Sequence, residues 1–552
     1  MLPNLRSYED ARRAFRWHVP EAFNAAADSL DRQCRPGADP DRTALIARGP
    51  AGGVAHFSYG ELKRLSDALA AAFANLMVEP GTAVAMLLPQ GAEAALTALA
   101  ALKAGATIAA MDAAWTPEDL ARAMRAARPR LIVADAASLA AARAAAPPSA
   151  ALVCVNAPDD VRDFWSLPLQ ADAAVGVATR ADDSAFLIFS QGRTGTPKAI
   201  RHAHRAVLGH LPALEMVFEG VPRPGDLIWP ALRPSHPAGL ISGLFGPWLL
   251  GVPVLAMGAP ETPAEAEDRI ARIARHGVRL ALFTPSAIAG MRLFPEPRDH
   301  YAFALRAAAC IGGRPAADAE AWCRDELGAP LGRIYGEAET GPVAASHPSW
   351  YACADAAGLG RAVPGVAAAV VDGDGAPLAA GAVGRLAVMQ DHPGLCLGCE
   401  GAPRAVARWA RRKYVGRWLL ADDLVTATED GDLAFVAKAD DVLPYGPAGF
   451  LPDDVERVLA RHRMVAAAAA LAEGDGVIAA VELKPGVPKG DAAAEALLAA
   501  DILAEAAKTL APYALPRRLA FVEAIPRTDE GRAHRARLRD RLDQAAAGSR
   551  PS

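Results

Sequence analysis

The stretch FLIFSQGRTGTPKA, Phe186 to Ala199, places an apolar run directly before a loop of glycine, hydroxyl and basic residues. The run Phe186–Phe189 is typical of a buried strand in a parallel sheet, and open α/β sheets bind ligands where the chain leaves the carboxyl ends of such strands. The loop is not a Walker P-loop, because two residues separate Gly195 from Lys198 and no serine or threonine follows the lysine. By itself the loop fits a phosphate-binding segment and a polar turn equally well.

The rest of the first half alternates between predicted strands and predicted helices. Ser58 and Glu61 form a capping box at one helix start, and Thr116 followed by Pro117 marks another. A further helix is expected near Ala92–Lys103. The apolar runs between the helices predict strands at Val84–Leu88, Ala106–Met111, Leu131–Val133, Ala185–Phe189, Val254–Met257 and Leu280–Phe283. This alternation predicts an α/β fold whose large amino-terminal domain has parallel-rich sheets covered by helices.

The pattern changes after about residue 355. Short alternating strands with turn signals such as Asp372-Gly373 predict a small β-barrel-like part. From about residue 440 onward the sequence predicts a small, compact α+β carboxyl-terminal domain, with helices at Asp453–His462 and from about His534.

The composition is that of a long globular chain with more than one domain. Its 552 residues are 52% hydrophobic and 22% charged, and this length exceeds what one core normally holds. The net charge of −5 gives no indication of a nucleic-acid or anionic-membrane partner. The first residues lack the apolar core of a secretory signal. Seven cysteines, an odd number, predict reduced thiols and a cytoplasmic location.

A CxxC pair and a long uncharged stretch both have structural rather than functional explanations. Cys396 and Cys399 form a CxxC pair without a second pair or a flanking histidine, so we predict loop cysteines rather than a zinc or redox site. The uncharged stretch Pro237–Pro260 is long enough to cross a bilayer, but four prolines and five glycines interrupt it. We therefore predict a buried helix followed by a buried strand there, and no membrane span.

Eight segments occur in an order and at intervals that resemble one protein family. They are FRWHVPEAFNAAADSLDR (Phe15–Arg32), FSQGRTGTPKA (Phe189–Ala199), IYGEAETGP (Ile334–Pro342), GLGRAVPGV (Gly358–Val366), WLLADDLV (Trp418–Val425), AKADDVL (Ala437–Leu443), LAPYALPRR (Leu510–Arg518) and IPRTDEGRAHR (Ile525–Arg535). Together they resemble the adenylate-forming superfamily of acyl-CoA synthetases, carrier-protein adenylation domains and luciferases. The first segment is similar to the opening of acetyl, medium-chain and benzoate-type acyl-CoA synthetases.

The resemblance implies a domain organisation and a reaction. It implies an AMP-binding domain over residues 1–439, a hinge near Asp440, and a mobile carboxyl-terminal domain over residues 440–552. In the implied reaction a small, medium-chain or aromatic carboxylate attacks the α-phosphorus of ATP, and the acyl-adenylate then passes its acyl group to a thiol. ATP, Mg²⁺ and the co-substrate CoA are the expected ligands, no nucleic acid is expected, and a homodimer is left open.

The resemblance also assigns roles to individual residues. The expected nucleotide contacts are Ser190, Gly192, Arg193, Thr194, Gly195, Lys198, Gly313, Tyr335, Gly336, Asp423 and Lys438. Among these, Asp423 matches the acceptor of the ribose hydroxyls and Tyr335 the aromatic residue beside adenine. The expected catalytic residues are Arg532, Lys198, Glu339 and His236. Glu339 matches the acid that holds Mg²⁺, and His236 matches the ring at the mouth of the acyl pocket.

Several residues depart from the family pattern where the chemistry takes place. Ala338 replaces a threonine that touches phosphate, and Arg532 replaces the carboxyl-terminal lysine that bridges carboxylate and α-phosphate. A planar guanidinium does not substitute conservatively for a compact ammonium at such a site. Arg193, in contrast, adds a cation beside the phosphates. These substitutions predict that ATP binding is better preserved than fast adenylation.

Three interpretations remain open at this point. The chain is an acyl-CoA ligase, a catalytically impaired nucleotide- or acyl-binding paralogue, or an adenylating enzyme that loads a separate carrier protein. The third requires a partner because this chain has no carrier segment of its own.

Overall fold

The structure consists of two compact units. The computed structural model describes residues 2, 7–50, 52–167, 176–191, 197–258, 265–348, 352–353, 358–401, 403–439, 452–473, 476–487, 492–512, 514–527 and 533–548. The first unit comprises Met1–Ser190, Pro197–Ala421 and Thr426–Ala434, and the second comprises Gln191–Thr196, Asp422–Val425 and Phe435–Ser552. The predicted α/β class with a large and a small part is confirmed. Asp440 lies outside the described residues, so the hinge stays a prediction.

A large mixed sheet forms one half of the first unit. Its parallel part contains, in spatial order, Thr43–Arg48, Val254–Ala256, Ile228–Pro230, Leu280–Phe283, Ala307–Ile311 and Leu331–Glu337. Antiparallel strands extend it at both ends, with Val54–Ser58 on one side and Gly341–Ser346, Gly358–Ala362 and Leu433–Lys438 on the other. Antiparallel pairs also join Ala368–Val371 to Gly384–Met389 and Tyr414–Val415 to Trp418–Ala427. The strands after residue 355, where the sequence changes to short alternating strands, pair antiparallel in these sheets.

A second sheet carries the strand of the opening motif. Its order is Gly398–Glu400, Pro197–Ala203, Ser184–Gln191, Thr107–Ala110, Ala83–Leu87, Leu131–Asp135, Ala151–Val155 and Arg162–Asp163. The pairs from Ser184–Gln191 to Arg162–Asp163 are parallel. The side chains of the central strands Thr107–Ala110, Ala83–Leu87 and Leu131–Asp135 are almost fully buried, as expected for strands covered on both faces.

Helices cover both sheets of the first unit. They span Tyr8–Ala14, Ala25–Ser29, Asp31–Cys34, Tyr59–Ala74, Ala92–Lys103, Pro117–Ala127, Leu139–Ala145, Ala206–Val217, Ile241–Phe245, Gly246–Leu249, Ala266–Arg275, Pro285–Met291, Pro297–His300, Ala319–Trp322, Cys323–Leu327 and Pro403–Lys413. The capping box of Ser58 and Glu61 is present, and Thr116 accepts a hydrogen bond from Asp119 N ahead of the helix that begins at Pro117. Two local signals in the sequence thus set two helix starts.

The second unit is a small α+β assembly. Val465–Glu473 pairs antiparallel with Gly476–Leu483, which pairs parallel with Arg518–Val522. The helices Pro452–Leu459, Ala492–Ala506 and Arg535–Gly548 accompany this sheet. Both of its faces carry buried apolar side chains, with Val455 and Ile502 packed on one and Leu538 on the other.

The uncharged stretch Pro237–Pro260 and the CxxC pair both belong to the first unit. Ile241–Leu249 is helical and Val254–Ala256 is a strand, both buried, as predicted. Within the described part of the chain, none of the helices combines the length and the apolar character needed to cross a membrane. All seven cysteines are free thiols. Cys399 lies in the strand Gly398–Glu400, which corrects the prediction of a loop, because the segment pairs with Ala199–Arg201.

Candidate functional site

The carboxyl edge of the large sheet brings together two of the predicted segments. The parallel strands Ala307–Ile311 and Leu331–Glu337 run side by side with Ile311 opposite Ile334. The residues that follow, Gly312 and Gly313, therefore lie at the same edge as Tyr335 and Gly336. Ligands of open α/β sheets bind at this edge.

The ring of His236 packs directly against Gly312. Gly312 has a φ of +88°, and a Cβ atom built on it would lie 2.6 Å from His236 Nε2. On its other side the ring accepts a hydrogen bond from Ala238 N through Nδ1, at 3.1 Å. Because a side chain at position 312 would overlap the imidazole, the absence of a Cβ atom permits the contact. The residue assigned to the mouth of the acyl pocket thus has Gly312 as its direct neighbour.

A small, mostly apolar pocket lies beside His236, between strands of the second sheet and the segment 234–241. Its cavity volume is about 10 Å³, and it is lined by Ile108, Phe186, Ile188, His236, Leu240 and Ile241. A volume of that size holds about one water molecule.

A tight turn between two antiparallel strands carries the acidic motif. Glu337 N donates to Thr340 Oγ1 at 2.9 Å, and Thr340 N donates back to Glu337 O at 3.2 Å. Gly336 approaches the backbone of Gly341 so closely that a Cβ atom there would lie 2.0 Å from Gly341 O. The turn buries the residue at its tip, Glu339, to 4% exposure.

Strand Pro197–Ala203 is joined to this turn by one buried histidine. His202 Nε2 lies 2.6 Å from Ala338 O, and the ring is 1% exposed. A carbonyl oxygen only accepts, so Nε2 carries the hydrogen. Burial lowers the pKa of His202 to about 4, so the ring is neutral near pH 7. Lys198, half-buried, stands near the start of the same strand.

A third segment, Cys396 and Leu397, forms hydrogen bonds with both the strand Pro197–Ala203 and the turn of Glu339. Leu397 N donates to Arg201 O at 2.7 Å, and Cys396 N donates to Glu339 O at 2.9 Å. The first unit thereby fixes the strand that carries Lys198 relative to the backbone of Glu339.

Lys413 contacts both carboxylates of the acidic motif. Its Nζ lies 3.4 Å from Glu337 Oε2 and 3.6 Å from Glu339 Oε1. The side chains of Lys413, Glu337 and Glu339 are 3%, 9% and 5% exposed. Ion pairs this deeply buried are far less screened than surface pairs.

In the second unit the predicted ribose acceptor is paired with another predicted contact. Asp423, 2% exposed, forms an ion pair with the ammonium of Lys438. The two residues come from the strands Trp418–Ala427 and Leu433–Lys438.

Six predicted site residues lie outside the described residues. They are Gly192, Arg193, Thr194, Gly195, Asp440 and Arg532. Ser190 is described; it is half-buried in the strand Ser184–Gln191.

Three residues of the site have no assigned role in the sequence analysis: His202, Glu337 and Lys413. Lys413 falls one helical turn after Trp409, and Trp409 stacks edge-on against Tyr414 with ring centroids 5.7 Å apart. This i,i+4 spacing was the available signal that Lys413 faces inward while Arg411 and Arg412 do not. For His202 no local signal existed, since its partner is a backbone carbonyl 136 positions away.

The chain matches two family descriptions that together cover most of its length. Residues 30–396 match the AMP-binding enzyme family, and residues 454–532 match the AMP-binding enzyme C-terminal domain. Acetyl-coenzyme A synthetase of Mycolicibacterium smegmatis is 26% identical across 95% of this chain, which spans 60% of that protein. Benzoate–CoA ligase of Thauera aromatica is 26% identical across 94% of this chain and 96% of its own length.

A solved structure of similar fold covers nearly the whole chain. The crystal structure of a benzoate CoA ligase from Burkholderia xenovorans LB400 superposes with a TM-score of 0.75 at 24% identity. The match covers 94% of this chain and all of that one.

Proposed function

Because the chain belongs to the AMP-binding enzyme family, we propose that it is an ATP-dependent acyl-CoA ligase. It activates a small, medium-chain or aromatic carboxylic acid as an acyl-adenylate and transfers the acyl group to CoA. The observation that carries the proposal is the contact of His202 with Ala338, which holds the strand of Lys198 against the buried turn of Glu339. A site for a nucleoside triphosphate and its metal needs a phosphate-binding element and an acidic element at a fixed distance from each other.

The first half-reaction joins two anions, so its catalysis depends on position and positive charge. We assign Lys198 to the phosphates and Glu339 to Mg²⁺. Mg²⁺ is usually bound in proteins by one or two carboxylates together with substrate phosphates, and the carboxylate of Glu339 is a donor of that kind. The ion, when bound, supplies positive charge that offsets the repulsion between the carboxylate and the triphosphate. The role of this chain is to hold Glu339 at a fixed backbone position through Thr340 and Cys396.

The acyl group is assigned to the pocket beside His236. Its lining, apolar apart from Ser235 and His236, favours the apolar part of a carboxylic acid. Acetate and benzoate, which the names of the two relatives indicate, are the first substrates to test. His236, held against Gly312, would then orient the carboxylate.

The remaining assignments follow from the family pattern. We assign Asp423 to the ribose hydroxyls, with Lys438 beside it. The contacts of Ser190, Gly192, Arg193, Thr194, Gly195, Gly313, Tyr335 and Gly336 with the nucleotide, the catalytic role of Arg532, the hinge at Asp440 and the cytoplasmic location stay predictions.

One observation favours a second candidate function. Glu339 and Asp423, the two carboxylates expected to meet ATP and its metal, each contact a lysine of the chain itself. A nucleotide- or acyl-binding paralogue with slow chemistry would also show such internal pairing.

Thioester formation separates the two candidates. The purified chain is incubated with ATP, Mg²⁺, CoA and either acetate, hexanoate or benzoate, and acyl-CoA is detected by mass spectrometry. A ligase gives the thioester of at least one acid, and omission of ATP abolishes it. ATP binding without any thioester, across a wider set of acids, would replace the ligase with the paralogue.

A further inference from the structure

The site of Glu339 contains a cation that belongs to the chain. Lys413 Nζ lies within 3.6 Å of a carboxylate oxygen on Glu337 and of one on Glu339. This ammonium therefore touches the carboxylate that the proposed function assigns to Mg²⁺.

The position of Lys413 is fixed by the fold around it. Lys413 is the last residue of the helix Pro403–Lys413, and the next residue, Tyr414, begins a strand paired with Leu419. With 3% of its side chain exposed, Lys413 has almost no contact with bulk water. Withdrawing the ammonium would leave two buried carboxylates close together, which is costly. The contact is therefore part of the folded site rather than a loose surface pair.

We propose that Lys413 supplies beside Glu339 positive charge that the site would otherwise take from a divalent metal, so that ATP binds with little dependence on Mg²⁺. The inference rests on the proposed function, since it assumes that Glu339 faces the triphosphate. Lys413 acts as a positioning residue, through Glu337 and Glu339.

Two effects of Lys413 act in the same direction. Its charge reduces the repulsion between the two carboxylates and the incoming phosphates when no metal is present. It also competes with Mg²⁺ for Glu339 Oε1, which weakens metal binding. Both effects reduce the gain in ATP affinity that Mg²⁺ brings.

Calorimetric titration with ATP, in the presence of Mg²⁺ and in the presence of EDTA, tests the inference. For the unaltered chain we expect the ATP dissociation constant to change less than about threefold on removal of Mg²⁺. The double variant Lys413→Met with Glu337→Gln removes the ammonium and one carboxylate together, which keeps the local charge balance and leaves no unpaired ammonium; its fold is checked by circular dichroism. Its Mg²⁺ dependence should rise to roughly tenfold or more, because the Lys413 ammonium then no longer competes with the metal for Glu339.

Two further variants serve as controls. Arg411→Met removes one positive charge from the same helix end at an exposed position, and its Mg²⁺ dependence should equal that of the unaltered chain. Glu337→Gln alone keeps Lys413 beside Glu339 and should not raise the dependence.

The possible failures are distinguishable. ATP binding with the same Mg²⁺ dependence in the unaltered chain and in the double variant overturns the role of Lys413 and leaves the proposed function intact. Absence of ATP binding with and without Mg²⁺ overturns the proposed function and this inference together.

Discussion

His202 and Ala338 are joined by a hydrogen bond of 2.6 Å between the imidazole Nε2 and the carbonyl oxygen. The ring belongs to the strand that carries Lys198, and the carbonyl immediately precedes Glu339. One buried neutral side chain thus connects the two elements assigned to the phosphates and the metal. A site of this kind depends on contacts that hold its reacting groups rigidly, since misplacement of these groups by about 1 Å can cost roughly a hundredfold in rate.

Replacement of His202 should therefore impair nucleotide binding as well as stability. His202→Phe leaves the half-buried carbonyl of Ala338 without its imidazole donor, at a cost of about 1 kcal/mol. We expect the ATP dissociation constant, measured by calorimetry, to rise about tenfold. His204→Phe is the matched control, because His204 is equally buried but accepts a hydrogen bond from Ala25 N at 3.0 Å. It should lose stability and keep its ATP affinity; equal losses of ATP affinity in both variants would contradict the role of His202.

A methyl group at position 312 should disturb acid binding. In Gly312→Ala the new Cβ atom would lie 2.6 Å from His236 Nε2, so the ring has to move. We expect the KM for the carboxylic acid to rise on the order of tenfold or more in the thioester assay, with little change for ATP.

Gly381→Ala separates steric overlap from backbone strain. Gly381 has a φ of +81°, close to the +88° of Gly312, but no atom lies within 4 Å of a Cβ built there. The control variant should show the strain of a positive φ, a stability loss of about 1 kcal/mol, without a change in KM. A rise in KM for both variants would mean that the effect is not the contact with His236.

Stability should decline as the pH falls below the ordinary histidine pKa. Burial lowers the pKa of His202 and of His204 to about 4 and that of His392 to about 3, from a usual value of 6.5. Below pH 6.5 the unfolded chain binds protons that the folded chain does not, so the free energy of unfolding decreases. Each histidine contributes a slope of up to about 1.4 kcal/mol per pH unit.

The urea midpoint measured between pH 7 and pH 5 reports this slope, because few carboxylates titrate in that interval. His204→Asn should flatten the slope, and His18→Asn, at an exposed position, should not. A midpoint that is constant over the interval would contradict the burial of neutral rings.

The pairing of Asp423 with Lys438 predicts a marked loss on removal of the carboxylate. Asp423→Asn should weaken ATP binding by about 10- to 100-fold, since the amide accepts less well and Lys438 loses its charged partner. The control is Asp422→Asn on the same strand, where successive side chains point to opposite faces. Calorimetry that finds equal affinity in both variants would remove Asp423 from the nucleotide site.

Arg532 lies outside the described residues, and its prediction rests on the family pattern. Arg532→Lys should raise the rate of adenylate formation while ATP affinity changes little, because an ammonium bridges carboxylate and α-phosphate more compactly than a guanidinium. A lower rate in the lysine variant would show that the site has adapted to arginine.

Local signals in the sequence located much of the fold. The helix Ala92–Lys103 has the predicted ends, and Thr116 with Pro117 marks a true helix start. The strand predicted at Val84–Leu88 runs from Ala83 to Leu87, since an apolar run does not define where pairing with its neighbours stops.

The site was less accessible to sequence reasoning, because its key contacts are not local. The ring of His202 meets a backbone carbonyl, for which no residue type gives a signal. The helical spacing from Trp409 indicates that Lys413 faces inward, but nothing local shows that its partners are Glu337 and Glu339. His236 was assigned to the mouth of the acyl pocket by resemblance, but its contact with Gly312 joins segments from distant parts of the chain.

Exchange of radiolabelled pyrophosphate into ATP, in the presence and absence of a carboxylic acid, shows whether the chain forms an acyl-adenylate. We expect exchange that depends on the acid and on Lys198 and Glu339, with benzoate or a short aliphatic acid among the active substrates. No acid-dependent exchange, together with no ATP binding by calorimetry, would contradict the proposed acyl-CoA ligase activity.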